Sequence, residues 1–240
     1  MALAAGDISL AIDEYVSTTD LDVYPNVTSV NYVPGYVYYM AIVGNELAQI
    51  DPANALGVPT TTGLAWEFVN SDERQNATLA VYKTEVTEEV AATSTITFPG
   101  GVQRSCAVTV VKVQNAEHTQ IQSGANNWAG ASGSVVLAAI TSGNLVLSFT
   151  ADTDGWESTF AAGTNETAIT GLTTRRIFAQ YNLVPDGTAD TGTPDAREYA
   201  SVAIEIEEVA VVPDTDVTTL CTLYFTDDGA PTGNPVICES

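Results

Sequence analysis

The chain has 240 residues, and its 30 Asp and Glu against 7 Lys and Arg give a formal net charge of −23 at pH 7. With 45% hydrophobic residues, it has enough apolar material for one large domain with a packed core. The shortage of Lys and Arg argues against binding to nucleic acid and to anionic membrane surfaces, because both depend on cationic side chains.

The acidic residues are distributed along the whole chain rather than concentrated in a tail. Their mutual repulsion disfavours the compact state, and concentrated salt relieves it because the Debye length falls to about 3 Å at 1 M. We therefore expect a protein that works in a high-salt environment. Apolar stretches such as 135–140 are too short to span a bilayer, and residues 1–7 lack the features of a secretory signal. The chain is thus expected either inside the cell or outside it by a route other than secretion.

Alternation of apolar and polar residues predicts a series of half-buried strands separated by Gly, Pro, Asn and Asp turns. In chain order the predicted strands are 35–43, 64–69, 77–83, 93–98, 107–113, 134–140, 145–150, 177–182, 202–207 and 218–225. Strands of this length and spacing, with little helix, predict an all-β fold: an antiparallel jelly-roll β-sandwich. Residues 184–197 contain Pro, Gly and Asp and are predicted to form a long exposed loop.

The predicted sandwich domain covers residues 1–208, with 1–28 as a candidate N-terminal arm. Residues 209–240 are too few for a core of their own and are predicted to be a C-terminal extension that docks on this domain or on a neighbouring subunit.

One arrangement of strands and turns is shared with a known type of module. Its parts are a Val-Pro-Gly turn at 33–35, a Gly-Leu-Ala-Trp strand from Gly63, strands at 77–82, 94–98 and 106–113, and a Gly-Asn-Leu-Val-Leu-Ser-Phe strand at 143–149. From about Asn31 to Glu208 this order resembles the jelly-roll module of bacterial surface proteins and tailed-virus structural proteins. Joined to the acidity, it resembles a virion protein of a tailed virus that infects halophilic archaea.

The resemblance implies a non-enzymatic virion protein on the particle exterior, a capsid decoration or turret subunit, with a tail or fibre component as the alternative. Its expected partners are further copies of itself, the major capsid protein or other virion proteins, and a host surface glycan or glycoprotein. Two functions of other classes stay open: a carbohydrate-binding surface module and, as the least favoured, a glycan-cleaving enzyme. No cofactor is expected, apart from a candidate Ca²⁺ ion.

The candidate Ca²⁺ ligands are Asp152, Asp154 and Glu157, which are acids spaced around a glycine turn. Ca²⁺ takes about 6–8 oxygen ligands, so such a cluster could contribute several of them. The spacing is not that of an EF-hand, and a solvated hairpin turn is the alternative. The single histidine, His118, lies in a polar stretch and is expected to be a surface-loop residue rather than a catalytic base.

Three aromatic residues are candidates for a subunit interface or a ligand contact: Tyr36, Tyr38 and Trp128. Tyr36 and Tyr38 would share one face of a strand, where core packing is the alternative, and Trp128 lies in a loop-like stretch.

The cysteines and the glycosylation patterns do not distinguish between these functions. Cys106 is expected to be buried, while Cys221 and Cys238 could pair. Asn26, Asn76 and Asn165 each begin an Asn-x-Thr glycosylation pattern, and whether any of them carries a glycan stays open.

Overall fold

The structure is a computed structural model that describes most of the chain as one compact unit, Met1–Val209. The described residues are 3–21, 23–46, 56–74, 77–99, 103–118, 122–153, 159–173, 176–184 and 188–208. The predicted extension at 209–240, with its strand at 218–225 and the Cys221–Cys238 pair, lies outside them.

The described residues are almost entirely β-strands, with a single 3-10 turn at Ala5–Asp7. The strands are β1 (Ile8–Leu21), β2 (Val23–Tyr32), β3 (Tyr36–Glu46), β4 (Val58–Thr61), β5 (Glu67–Arg74), β6 (Ala77–Glu85), β7 (Val90–Thr97), β8 (Gln103–Gln114), β9 (Gln122–Val136), β10 (Leu145–Asp152), β11 (Ala161–Ala162), β12 (Thr167–Ala168), β13 (Ile177–Asn182) and β14 (Thr188–Ile206).

The strands form three sheets, and every described strand pair is antiparallel. The central sheet has the order β1-β8-β3-β6-β5, and the small sheet has the order β2-β7-β4. The large sheet has the order β11-β14-β10-β13-β12, with β9 also paired to β14. The prediction of an all-β antiparallel sandwich is confirmed, and the small sheet adds a third layer to it.

The three middle strands of the central sheet, β8, β3 and β6, are buried on both faces, which explains why they are mainly apolar. In β3, Tyr39 and Val43 point into the core shared with the large sheet, whereas Tyr38, Met40 and Ile42 point into the core shared with the small sheet. β6 is buried over its whole length except at Glu85. Strands covered on both sides need apolar residues at successive positions, so the period-two signal is weak in them.

The large sheet packs its aliphatic inner face on the central sheet and is partly covered on its outer face. Leu147 and Phe149 of β10 and Ile204 of β14 belong to the inner core. On the outer face, Val146 lies in a smaller cluster with Val135 from the end of β9. The paired ends of β9 and β14 therefore fold back over their own sheet as a two-stranded ribbon.

A glycine permits this fold-back. A Cβ atom at Gly124 would lie 2.9 Å from a Val135 methyl carbon, closer than side chains tolerate. The Asn126 side-chain amide donates to the Ser134 carbonyl at 2.7 Å and joins the two arms of β9. Close backbone approach is a common reason for glycine inside a strand.

Several sequence predictions need correction. Residues 188–197 are not a loop but the first part of β14, because pairing with β9 overrides their turn-rich composition. Trp128 likewise lies on β9 rather than in a loop. The strands β1 and β2 were not predicted, and they place most of residues 8–28, which belong to the candidate arm 1–28, in the sheets of this same chain.

Candidate functional site

Three ionisable side chains meet at one end of the central sheet: Glu67, Lys83 and His118. Glu67 begins β5, Lys83 lies opposite it on β6, and His118 follows β8. Glu67 Oε2 lies 3.3 Å from His118 Nε2 and 3.7 Å from Lys83 Nζ. The Lys83 ammonium also donates to the backbone carbonyl of His118. The cluster thus joins two strands and the segment after a third.

The electrostatics of this cluster favour an ionised glutamate. The hydrogen bond from His118 lowers the pKa of the Glu67 carboxyl, desolvation opposes this, and the charges of His118 and Lys83 lower the pKa further. Lys83 is only 6% exposed, so its charge is removed from the surface and needs these oxygen partners.

A groove of about 470 Å³ lies beside the cluster. Its polar lining consists of Glu67, Thr84, Glu85, Thr87, Glu88 and His118. No serine or cysteine is among its described lining residues, and His118 Nδ1 is buried without a hydrogen-bond partner. The contacts of the cluster tie β5, β6 and the segment after β8 together at this end of the sheet.

The predicted Ca²⁺ site is only partly described. Asp152 is fully buried at the end of β10, where its N–H donates to the Arg176 carbonyl at 3.2 Å. Asp154 and Glu157 lie outside the described residues. Within the part of the chain that the structure describes, no three His, Cys, Asp or Glu side chains are grouped so as to hold a metal ion.

Tyr36 and Tyr38 share one face of β3 as predicted, and both are engaged within the chain. Tyr38 is fully buried; its hydroxyl accepts from the Val33 N–H at 2.9 Å, and its ring packs edge-on to Tyr32. Tyr36 is half-buried, with the Lys112 ammonium 4.9 Å from its ring centre. The rings do not form an exposed ladder.

Trp128 is half-buried on the outer face of the large sheet. Its ring lies 5.7 Å from that of Tyr199, the residue opposite it on β14. A Cβ atom at Gly133 would fall 2.0 Å from the indole, so Trp128 fills the bend of the ribbon. Its indole N–H is buried without a partner.

The basic side chains are mostly withdrawn from the surface. Among the described ones, Lys83 and Arg176 are buried, Arg74 pairs with Glu198, and Lys112 lies over Tyr36. Only Arg104 is exposed among these described basic side chains. Little positive charge is therefore left on the described surface to offset the carboxylates.

Two carboxylates have pKa values displaced in opposite directions. Glu205 is 1% exposed and accepts from Gln122 Nε2 at 2.5 Å, the Thr141 N–H at 2.9 Å and Asn144 Nδ2 at 2.7 Å. Burial raises the pKa of Glu205, but these hydrogen bonds outweigh it, so the net pKa is lowered. Glu205 thereby anchors the connection between β9 and β10.

Asp72, on β5, lies at the seam between the central and large sheets. Its Oδ1 accepts from Asn127 Nδ2 at 3.0 Å, while Oδ2 is buried without a partner. Desolvation raises the pKa of Asp72 despite the hydrogen bonds from Asn127 and the Glu73 N–H and the charge of Arg74. Unlike Glu205, this carboxylate is held in a poor environment for its charge.

Sequence reasoning missed the Glu67–Lys83–His118 cluster and the Glu205 network. Their members are far apart in sequence and carry no spacing motif, so only strand register brings them together. No known protein family, curated protein or solved structure matches this chain. The described part of the chain contains no helix with the length and apolar character needed to cross a membrane.

Proposed function

We propose that this chain is a non-catalytic structural subunit on the exterior of a virion that works in concentrated salt. The favoured position is a capsid decoration or turret, and a tail or fibre component is the alternative. The subunit assembles with further copies of itself and with other virion proteins, and repeated copies strengthen weak contacts with a host surface through avidity.

The observation that carries the high-salt part of this proposal is the one-sided charge of the surface, and the virion position follows from the resemblance of residues 31–208 to the jelly-roll module. The net charge is −23, and four of the five basic side chains described are buried, ion-paired or stacked on a ring. Such a surface repels itself unless salt screens it, so it suits a protein bathed in brine. A surface of this kind stays hydrated between copies while sheet edges and apolar side chains make the contacts.

The sheets offer edges for such contacts. β5 is an edge strand of the central sheet, and Asn70, Asp72 and Arg74 bond to β9 of the large sheet. Its open part is its start, where Phe68 is 53% exposed although it packs edge-on to Tyr82. Strand edges carry backbone groups that pair readily with another chain.

One of the alternative functions receives less support. Tyr36, Tyr38 and Trp128 are engaged internally, which weakens the carbohydrate-binding hypothesis.

The proposal is tested on purified particles of a virus that encodes the chain. Quantitative mass spectrometry should find the chain in a fixed ratio to the major capsid protein, and molar-salt washing should not remove it. A high ratio indicates a capsid position, and a few copies per particle indicate the tail. Enrichment only in the infected-cell lysate, with a host cytosolic protein as the contamination control, would refute the proposal.

A further inference from the structure

An exposed turn presents one of the glycosylation patterns. Asn165 lies in the turn between β11 and β12 with φ 62°, a left-handed conformation that Asn tolerates. The turn is closed by the Glu166 N–H, which donates to the Gly163 carbonyl at 3.2 Å. Asn165 and Thr167 are both exposed, so the acceptor amide and the hydroxyl that the pattern requires are accessible together.

A groove of about 390 Å³ lies directly beside this turn. It is lined by Asn165, Thr167, Asn182, Leu183 and Val184. The groove therefore starts at the acceptor residue itself and combines amide and hydroxyl groups with apolar side chains.

One lining residue carries a hydrogen-bond donor without an acceptor. Asn182 is only 2% exposed, and its Oδ1 accepts from the Val184 N–H at 2.8 Å. This bond fixes the orientation of the side-chain amide, which leaves Nδ2 buried without a partner. A buried donor in this state is costly, so an acceptor from outside the chain would be stabilising.

A second lining residue is exposed although it is apolar. Val184 is 82% exposed, more than any other large hydrophobic residue in the described part of the chain. An occupant that presents both an acceptor oxygen and an apolar surface would satisfy Asn182 and cover Val184 together. A pyranose ring has both features, since its hydroxyl oxygens surround a face of C–H groups.

We propose that Asn165 is an N-glycosylation site and that the first sugar of its glycan occupies this groove. The donor is an oligosaccharide linked to a polyprenyl phosphate, supplied by a membrane transferase of the producing cell. Asn165 Nδ2 forms a bond to the anomeric carbon, the bond from that carbon to the phosphate oxygen breaks, and the lipid phosphate leaves with the electron pair. The amide loses one proton, and nothing is oxidised or reduced.

The other two patterns are not part of this proposal. Asn76 and the side chain of Asn26 lie outside what the structure describes. The site at Asn165 requires that the chain crosses a membrane and meets the transferase at its outer face, contrary to the sequence-based expectation of a route other than secretion, and its test is separate from the test on virus particles. Failure of one proposal therefore leaves the other standing.

The full chain, exported through an added leader from a halophilic archaeon that N-glycosylates its own surface proteins, tests the modification. Mass spectrometry of peptides should find a glycan on Asn165. The glycan should persist in Thr167→Ser and disappear in Thr167→Ala and Asn165→Gln. Unmodified Asn165 in exported protein, alongside a normally glycosylated host surface protein, would overturn the proposal.

The place of the sugar is tested by melting temperature. The glycosylated protein should melt about 2–4 °C above the Thr167→Ala protein, the shift expected for one added hydrogen bond in a domain of this size. In an Asn182→Leu background the glycan should still be attached, but this difference should vanish. An unchanged difference in that background would overturn the assignment of the groove to the first sugar.

Discussion

The two cores on either side of the central sheet are built differently. The core facing the large sheet is mainly aliphatic, with Leu147, Val202 and Ile204 as typical members and Phe149 as a ring packed among them. The core facing the small sheet is richer in rings, and the polar ends of Tyr32, Tyr38 and Trp66 are hydrogen-bonded. Its best example is a hydroxyl chain in which Ser94 Oγ lies 3.3 Å from the Tyr32 hydroxyl and 2.5 Å from Thr61 Oγ1.

The difference follows from the size of the covering layer. The large sheet has twice as many strands as the small sheet, and the residues with which it covers the central sheet are mainly aliphatic. The small sheet has three strands, and large rings with hydrogen-bonded ends fill the space that it covers. The aliphatic core should therefore be most sensitive to lost volume, and the ring-rich core to lost hydrogen bonds.

The largest effect is expected from a cavity in the aliphatic core. Phe149→Ala removes a fully buried ring and should lower the free energy of unfolding by about 3–5 kcal/mol. Denaturant unfolding in molar salt measures the change. Phe68→Ala, at a 53% exposed position, is the matched control and should cost much less. Equal losses at both positions would contradict the assignment of this core.

The outer face of the large sheet should be sensitive to its buried carboxylate. Glu205→Gln replaces an acceptor that faces three donors and should cost about 2–3 kcal/mol near neutral pH. Because the pKa of Glu205 is lowered in the folded state, its stabilisation is present above the unfolded pKa and lost as pH falls through the folded pKa.

The difference between wild type and Glu205→Gln should therefore shrink on acidification. Unfolding curves over a range of acidic pH measure it, with the exposed Glu207→Gln, just after the end of β14, as the control. A difference that stays constant with pH would show that the carboxylate charge is not what anchors the β9–β10 connection.

In the ring-rich core, the loss of a hydrogen bond should lower the free energy of unfolding more than the loss of a few atoms of side-chain volume. Ser94→Ala removes one oxygen from the Tyr32–Ser94–Thr61 chain and should cost about 1–2 kcal/mol. The exposed Thr93→Ala is its neighbouring control. Combining Ser94→Ala with Tyr32→Phe should give less than the sum of the two separate losses, because both remove the same bond. Full additivity would show that the two hydroxyls are not coupled.

The smallest change in the free energy of unfolding is expected at Asp72, and its dependence on pH should have the opposite sign to that of Glu205. The pKa of Asp72 is raised by desolvation, so the folded state loses stability as pH rises through the folded pKa. Asp72→Asn should be neutral or slightly stabilising near neutral pH, within about 1 kcal/mol, and should flatten that part of the stability profile. A clear loss of stability would mean that the ionised carboxylate contributes at this seam.

The sequence predicted the aliphatic strands well because their pattern is local. Leu145 and Leu147 alternate with Val146 and Ser148, and the corresponding strand is β10. The turn predicted at 33–35 is also present, with φ 82° at Gly35. What the pattern could not supply was the sheet that each strand joins, so the third layer was not foreseen.

The remaining features depend on pairing between distant segments. β14 begins at Thr188 because residues 188–192 pair with the end of β9, and the local composition there is typical of a loop. Tyr38 is buried rather than exposed because the small sheet covers its face of β3. The Glu205 anchor joins Gln122, Thr141 and Asn144, and no spacing in the sequence predicts that contact.

The most direct test of the account is the free energy of unfolding as a function of NaCl or KCl concentration. We expect it to rise from dilute buffer to molar salt, because screening relieves the repulsion of a surface whose basic partners are mostly withdrawn. A variant with Glu85→Gln and Glu88→Gln, both at exposed positions, should need less salt for the same stability. An unfolding free energy that does not change with salt concentration, in wild type and variant alike, would contradict the claim that the folded state depends on salt to screen its acidic surface.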